Sequence, residues 1–507
     1  MLKKFTPVFN ISAGFILLLV IIGILWPESL ETTTADVQAF ISNKFGWYYL
    51  IVVTLFVLVC LVFLISPLGR IRLGKSGEKP EFTRPTWIAM LFSAGMGIGL
   101  VFWGTAEPIS HYAISSPTGE TGTDQAIKDA MRFTFFHWGI HAWAIYGIVA
   151  LVLAYFNFRH GRKGLISATL HPIIGEKAAE GNLGKIIDIL AVIATVIGVA
   201  TTLGFGAVQI NGGLSYLFDI PINIVVQFII IAIVTVLFMI SAWSGLGKGI
   251  KILSNANMII ALLLFGFVFI VGPTLFQLNL FTTSLGTYLQ NLPAMSFRLA
   301  PLNEEARGWI NGWTVFYWAW WIAWSPFVGI FIARVSRGRS IREFVFTVLI
   351  IPSVIGFLWF ATFGGTAISL EHNGIDSLSS LATEESLFGV LANFPFSIIA
   401  SLVAITLIST FFITSADSGT YVLGMMTSDG SQHPGMTIKL IWGCLLSAIA
   451  LALLYTGGLQ ALENTMIIAA LPFSIIMLLM TISFVKAIYK EGRELGVGRF
   501  NPPKKKS

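Results

Sequence analysis

Apolar runs about twenty residues long recur along the whole chain, separated by short polar stretches. A helix needs about 20 mostly apolar residues to cross the hydrocarbon of a bilayer. By that measure the pattern predicts spans at 9–26, 47–66, 87–111, 131–156, 186–208, 223–242, 255–275, 311–332, 345–370, 395–424, 437–457 and 465–485. Twelve crossings of an all-α polytopic membrane protein put both termini on one side. The first run follows Lys3 and Lys4, as the apolar part of a signal peptide would. No small-residue cleavage site follows Trp26-Pro27, so it reads as a retained span. Residues 112–130 read as a polar loop ending in a short amphipathic helix. Residues 276–308 mix apolar and polar positions too evenly to cross and read as a helix lying in the interface plane.

Composition agrees with that pattern. Of 507 residues, 55% are apolar and 11% charged, against roughly a quarter charged in soluble proteins. A soluble fold and a disulfide scaffold are both excluded, for the two cysteines, Cys60 and Cys444, sit inside apolar runs. The net charge of +6 does not point to nucleic acid, because Lys and Arg fall in short loops between spans. With the N-terminus placed in the cytoplasm, only Lys44, Lys128, Arg132, Arg298 and Arg307 of the 31 basic residues lie toward the outside. That bias fixes both termini as cytoplasmic.

Two spans are poor lipid-facing helices. The third contains Ser93-Ala94-Gly95-Met96-Gly97-Ile98-Gly99, and each interior Gly costs about 1 kcal/mol of helix propensity relative to Ala. The eighth contains Trp324-Ser325-Pro326-Phe327, where proline removes a helical hydrogen bond. Interrupted spans at matching places in two oppositely oriented halves mark the binding site of a secondary transporter. The chain then divides into 1–86 with two leading spans, a first five-span repeat at 87–275, an outer interfacial segment at 276–310, a second repeat at 311–485 and a basic tail at 486–507. Close helix packing is the other use for such glycines.

Aromatic residues carry the candidate chemistry. Residues 309–324 hold six of the chain's 15 Trp. Trp309 and Trp313 fit an aromatic belt at the outer interface. Trp320, Trp321 and Trp324 do not, since Trp321 lies roughly 18 Å along a helix from Trp309, at a depth where an indole N–H finds no partner in lipid. A second set, Trp138, Trp143 and Tyr146, lies on the fourth span. Rings facing a cavity suit a quaternary ammonium group, which has no N–H to donate but is attracted to aromatic faces by about 2 kcal/mol or more per ring when desolvated. Ring packing between helices is the structural alternative.

Oxygen ligands for a hard cation are offered by Thr414 and Ser415 on the tenth span and by carbonyls at Ala94 to Met96. Thr201 and Thr202 on the fifth span are a weaker set, since an isolated Thr commonly bonds back to its own helix. Glu107 and Asp417 are the carboxylates within spans, each readable as a functional group or as a local helix-end partner. His137 and His141 are four residues apart, without a third metal ligand in the local sequence. No nucleotide-binding loop and no His-Glu-x-x-His motif is present, so neither an enzyme nor an ATP-driven pump is indicated.

Over about residues 8–488 the chain resembles the betaine/carnitine/choline transporters of bacteria. The resemblance rests on Gly95-Met96-Gly97-Ile98-Gly99, on Trp138 to Tyr146, on Trp318 to Phe327 with Arg334-Val335-Ser336-Arg337-Gly338-Arg339, and on Thr414-Ser415-Ala416-Asp417-Ser418. It implies a LeuT-like core of ten helices preceded by two, in the plasma membrane and often as a homotrimer. It implies that Trp138, Trp143, Tyr146 and Trp321 box the trimethylammonium, that Trp320, Trp324 and Phe316 line the path further in, and that the unwound Gly95, Gly97 and Gly99 segment meets the substrate. One Na⁺ would sit among Ala94 or Ser93, Met96, Phe411, Thr414 and Ser415, and a second near Thr201 or Thr202 and Phe327.

Choline-transporting members tend to carry Asp where Gly99 stands, so Gly99 suits a zwitterion such as glycine betaine. The sequence departs from the family at Ala142, often Pro, and in its short tail, whose Lys504-Lys505-Lys506 would touch anionic lipid. The expected function is Na⁺-coupled uptake of glycine betaine as an osmoprotectant, with no cofactor beyond the coupling ion and no nucleic-acid partner. Sodium-independent carnitine, butyrobetaine or choline transport within the family is the alternative, followed by an ion channel or receptor.

Overall fold

A computed structural model of the chain describes residues 5–95, 97–244 and 249–497, with the backbone alone at 92–95, 243–244 and 249–251. The longer helices are α1 (Pro7–Leu25), α2 (Pro27–Ile65), α3 (Arg84–Gly95), α4 (Ile98–Ile109), α5 (Asp124–Trp138), α6 (Ile140–Ala154), α7 (Asn182–Phe218), α8 (Ile224–Ser244), α9 (Gly249–Val271), α10 (Thr274–Ser296), α11 (Glu304–Ile310), α12 (Phe316–Val335), α13 (Ile341–His372), α14 (Ser397–Met426) and α15 (Met436–Glu494). No strand occurs among the described residues; Arg72 and Ser340 form an isolated bridge. Ten helical stretches among the described residues are long and apolar enough to cross a membrane. The predicted third span is absent from those ten because it is split into α3 and α4, each of 12 residues. The predicted last two spans are joined in α15, bent where Gly458 takes φ +61°, a backbone conformation that glycine adopts without a steric penalty.

Burial sorts the helices into layers. The most apolar windows of α8 and α9 are 28% and 22% buried, whereas those of the stretches 124–159 and 304–335 are 94% and 89% buried. The latter two therefore form the centre and the former the rim. α12 packs against α6, α7 and α15; α4 packs against α13 and α7; and α15 packs along α7 and α2.

Several expectations need correction. The stretch 27–46, read as a connection, belongs to α2: Pro27 opens the helix, Glu28 complements its N-terminal dipole, and no Gly or Pro follows until Gly46. The short helix expected at the end of 112–130 is present, but as the start of the longer α5, capped by the Thr123 side chain accepting from the Ala126 N–H at 3.1 Å. The fourth span breaks at Gly139 (φ −94°, ψ −142°). A Cβ there would lie 2.7 Å from the Phe357 ring and 2.9 Å from the Tyr288 hydroxyl, so neighbouring helices close in on bare backbone.

The eighth span, in contrast, runs unbroken through Pro326. Proline deprives the Ile322 carbonyl of its N–H partner, and the Ser325 hydroxyl donates to that carbonyl at 2.8 Å instead. Its irregularity falls earlier, in a π-turn at Asn311–Val315. Residues 276–308 fold mainly as α10, which buries Gln277, Leu280, Ser284, Tyr288 and Met295 at helical spacing and packs on α5 and α13.

Candidate functional site

The break at Gly139 sets Trp138 at the end of α5 and lets α6 start afresh with Trp143 and Tyr146 on its first two turns. Opposite them α12 presents Trp320 and Trp321. Four rings form one contiguous series. Trp138 stands edge-on to Trp321 with centroids 4.9 Å apart. Tyr146 meets Trp321 at 5.7 Å and 80°, and Trp143 meets Tyr146 at 5.7 Å and 78°. Trp320 lies stacked on Trp321 at 5.1 Å and edge-on to Trp138 at 6.0 Å. All five side chains are buried, and the Tyr146 hydroxyl has no hydrogen-bond partner. The rings thus turn into the protein rather than toward lipid.

Phe316 and Trp324 lie one turn to either side of Trp320 along one face of α12. Phe316 packs on Trp320 at 5.8 Å and on Trp103 at 6.0 Å. Trp324 donates its indole N–H to the Gly198 carbonyl at 2.8 Å and packs on Phe327 at 5.4 Å. The outer pair also differs from the belt reading. Trp309 is buried and donates to the Ser115 carbonyl at 2.9 Å, and Trp313 packs on His111 with centroids 4.5 Å apart.

The interrupted third span touches this cluster through its glycines. A Cβ on Gly99 would lie 2.5 Å from Cη2 of Trp320 and 3.4 Å from Cη2 of Trp138. Gly97, extended at the head of α4, faces Ser415, whose Oγ lies 3.8 Å from where a Cβ would stand. Of the other expected residues here, Met96 lies outside the described residues, and Ser93, Ala94 and Gly95 are described in backbone only.

On α14 the Thr414 hydroxyl donates toward the Thr410 and Phe411 carbonyls at 3.0 and 3.1 Å and accepts from Nδ2 of Asn257 on α9 at 3.1 Å. The Asn257 Oδ1 is buried without a partner. Carbonyl and hydroxyl oxygens beside an orphaned amide oxygen are the donor set a hard monovalent cation takes. Thr201 and Thr202 diverge: Thr201 bonds back to the Ile197 carbonyl and reaches Leu462 O on α15, while Thr202 accepts from the Trp320 indole at 3.3 Å. Asp417 accepts from Ser241 on α8 at 2.6 Å, a pairing between helices, and its Oδ1 is buried without a partner.

Glu107, singled out in the sequence as a carboxylate within a span, is the polar anchor of the rings, a role its position in the sequence did not show. The Glu107 carboxylate is wholly buried. Its Oε2 accepts from the Trp138 indole at 2.7 Å and the Tyr317 hydroxyl at 2.5 Å. Its Oε1 pairs with His137 Nδ1 at 2.7 Å and His111 Nε2 at 3.2 Å. His137 Nε2 continues to Thr314 at 3.0 Å, and the His137 carbonyl accepts the Trp321 indole at 2.9 Å. His137 therefore has carboxylate and imidazole neighbours after all, whereas His141 turns away to Ser296 at 3.0 Å. Glu107, His111 and His137 have ligand atoms close enough to hold a metal, but those atoms are already hydrogen-bonded to one another. The signal in the sequence was Glu107 four residues before His111, both inside an apolar stretch.

The comparisons with known proteins agree with one another. A family profile described as "BCCT, betaine/carnitine/choline family transporter" matches residues 7–493. The chain is 59% identical to the glycine betaine transporter OpuD of Bacillus subtilis, over 98% of this chain and 96% of that protein. It is 46% identical to an ectoine/hydroxyectoine transporter of Virgibacillus pantothenticus, over 96% of each. Identity to a probable glycine betaine transporter of Desulfitobacterium hafniense is 44%, over 96% of this chain and 98% of that protein.

Proposed function

Because this chain belongs to the betaine/carnitine/choline transporter family, and is a multi-pass membrane transporter rather than an enzyme, we propose that it imports glycine betaine by Na⁺ symport. The observation that carries the reading is the contiguous, buried series Trp143, Tyr146, Trp321 and Trp138, set against the bare backbone of Gly99. These rings are the box for the trimethylammonium, held by attraction to their faces. Gly99 leaves the space that any side chain would take from Trp320. The substrate carboxylate meets the unpaired N–H groups at the head of α4, where the helix dipole favours an anion.

The coupling ion takes the backbone at Ala94 and Met96, the Phe411 carbonyl and the hydroxyls of Thr414 and Ser415. The proximity of Gly97 to Ser415 supports that placement. A second ion lies by Thr202 and Phe327, with Thr201 turned toward α15. In this reading α3 and α4 together make one crossing and α15 makes two, giving twelve spans in two inverted repeats, 87–275 and 311–485, after two leading helices. Both termini are cytoplasmic, α10 lies along the outer interface, and the protein is a homotrimer in a bacterial plasma membrane.

The test is uptake of labelled betaine into proteoliposomes with and without an inward Na⁺ gradient, competed by choline, carnitine, proline betaine and ectoine. Gradient-driven accumulation that betaine competes best is expected. Equal uptake without sodium would leave a carnitine-type exchanger, and preferential competition by ectoine would move the substrate to a ring zwitterion.

A further inference from the structure

Away from the aromatic cluster, an open cavity of about 810 Å³ lies between the end of α2, the start of α13 and the segment that leads into α3. Its charged lining is three guanidinium groups and one carboxylate, Arg72, Arg84, Arg342 and Glu343, with the Ser340 hydroxyl beside them. The carboxylate is already shared, taking Arg84 at 2.8 Å and Arg339 at 3.0 Å on the same oxygen. Arg342 gives one nitrogen to the Ser66 carbonyl at 2.8 Å, and its buried Nε has no acceptor. Arg72 reaches the Gly338 carbonyl at 2.9 Å. The cavity thus holds positive charge in excess, with guanidinium donors to spare.

Its apolar flank has a direction. Ile65 and Phe346 at the rim are 79% and 51% exposed. Ile65 continues a stripe of exposed residues, Leu58, Leu61 and Val62, at helical spacing along α2. A free inorganic anion would use the arginines and leave that stripe unused. An amphiphile with a phosphodiester head and acyl chains uses both.

We propose that this cavity seats the headgroup of an anionic phospholipid, phosphate on Arg84 and Arg342 and one acyl chain along the α2 stripe. Guanidinium forks match phosphate oxygens in paired, charge-assisted hydrogen bonds. The site is distinct from the basic tail. It lies where the segment entering α3 meets the segment leaving α12: Leu73 N–H donates to the Arg339 carbonyl at 2.8 Å and Gly338 N–H to the Leu73 carbonyl at 2.7 Å. Lipid there clamps the two elements that bear on the aromatic cluster.

The test is lipid retention by the full chain in native mass spectrometry, after equilibration with mixed phosphatidylglycerol and phosphatidylcholine micelles, a readout independent of transport and of its substrate. Phosphatidylglycerol is expected to be retained in preference. Arg342→Gln and Arg84→Gln should each weaken retention about fivefold, the worth of one basic group near a phosphate. Glu343→Gln should strengthen it, because it releases Arg84. Arg307→Gln, on α11, and neutralisation of Lys504, Lys505 and Lys506 should change nothing. Arg84 is largely exposed, so its variant folds even if Arg342→Gln does not. Equal retention of the two lipids would overturn the proposal. So would a Glu343→Gln change in the same direction as the arginine variants, loss of retention on neutralising the tail, or full displacement by millimolar inorganic phosphate.

Discussion

Trp138 donates its indole N–H to the buried Glu107 carboxylate at 2.7 Å, and its ring stands 4.9 Å from Trp321. One carboxylate thereby fixes one box wall directly and a second through His137, whose carbonyl takes the Trp321 indole. Glu107→Gln puts an amide NH₂ where a partner donates. Losing a charge-assisted bond costs about 1.5–3 kcal/mol, so the betaine KM should rise at least tenfold. The Na⁺ half-saturation should stay close to wild type, and uptake kinetics at matched protein levels check both.

Gly99→Ala tests the fit of backbone to ring. Its methyl would stand 2.5 Å from Trp320, and overpacking of this kind costs about 1–3 kcal/mol. Betaine binding should fall by roughly five- to 150-fold at that cost. Binding followed by tryptophan fluorescence is the measure.

Ser415→Ala separates ion from substrate. Ser415 faces Gly97 at the break between α3 and α4, so removing its hydroxyl should raise the Na⁺ half-saturation severalfold at saturating betaine, an effect of about 1 kcal/mol for one oxygen ligand. Equal loss in both constants would place the ion elsewhere.

Ser325→Ala concerns stability alone. The buried Ile322 carbonyl, already deprived by Pro326, would lose the hydroxyl that satisfies it. An unsatisfied buried acceptor costs about 1–3 kcal/mol, and the variant should unfold at lower temperature in a detergent thermal shift assay while its betaine KM is unchanged.

Glu78 carries a pH effect outside the membrane. The Lys75 backbone N–H first, then Arg337, holds its carboxyl below the ordinary carboxylate range. A carboxyl whose folded pKa is depressed adds stability above its unfolded pKa and loses it as pH falls through the folded value. Glu78→Gln should therefore flatten the acid limb of the stability profile by slightly lowering stability at neutral pH while matching wild type at acid pH, a small effect because the pair with Arg337 is partly solvent-exposed.

Much of the architecture could be read from the chain because spans obey a length rule. Glycine spacing located the break at Gly97, since three glycines within five residues leave a helix no support. The same rule misled at Pro326, because Ser325 repairs the missing bond locally. It missed Gly139, where the cause is close approach by Phe357 and Tyr288 from distant helices. The ring cluster and Glu107 were legible as residue types; the bonds that tie one to the other were not. Glu107 gathers donors from three helical segments, a convergence that linear spacing does not encode.

The central claim is that rings grip a permanent positive charge and not merely a bulky apolar head. The direct measurement is competition of Na⁺-driven betaine uptake by the tert-butyl analogue of betaine, in which carbon replaces nitrogen and the shape is kept. At about 2 kcal/mol or more per desolvated ring, the neutral-headed analogue should compete at least tenfold more weakly, and Trp321→Ala should narrow that gap. Competition as strong as betaine's own would contradict the account.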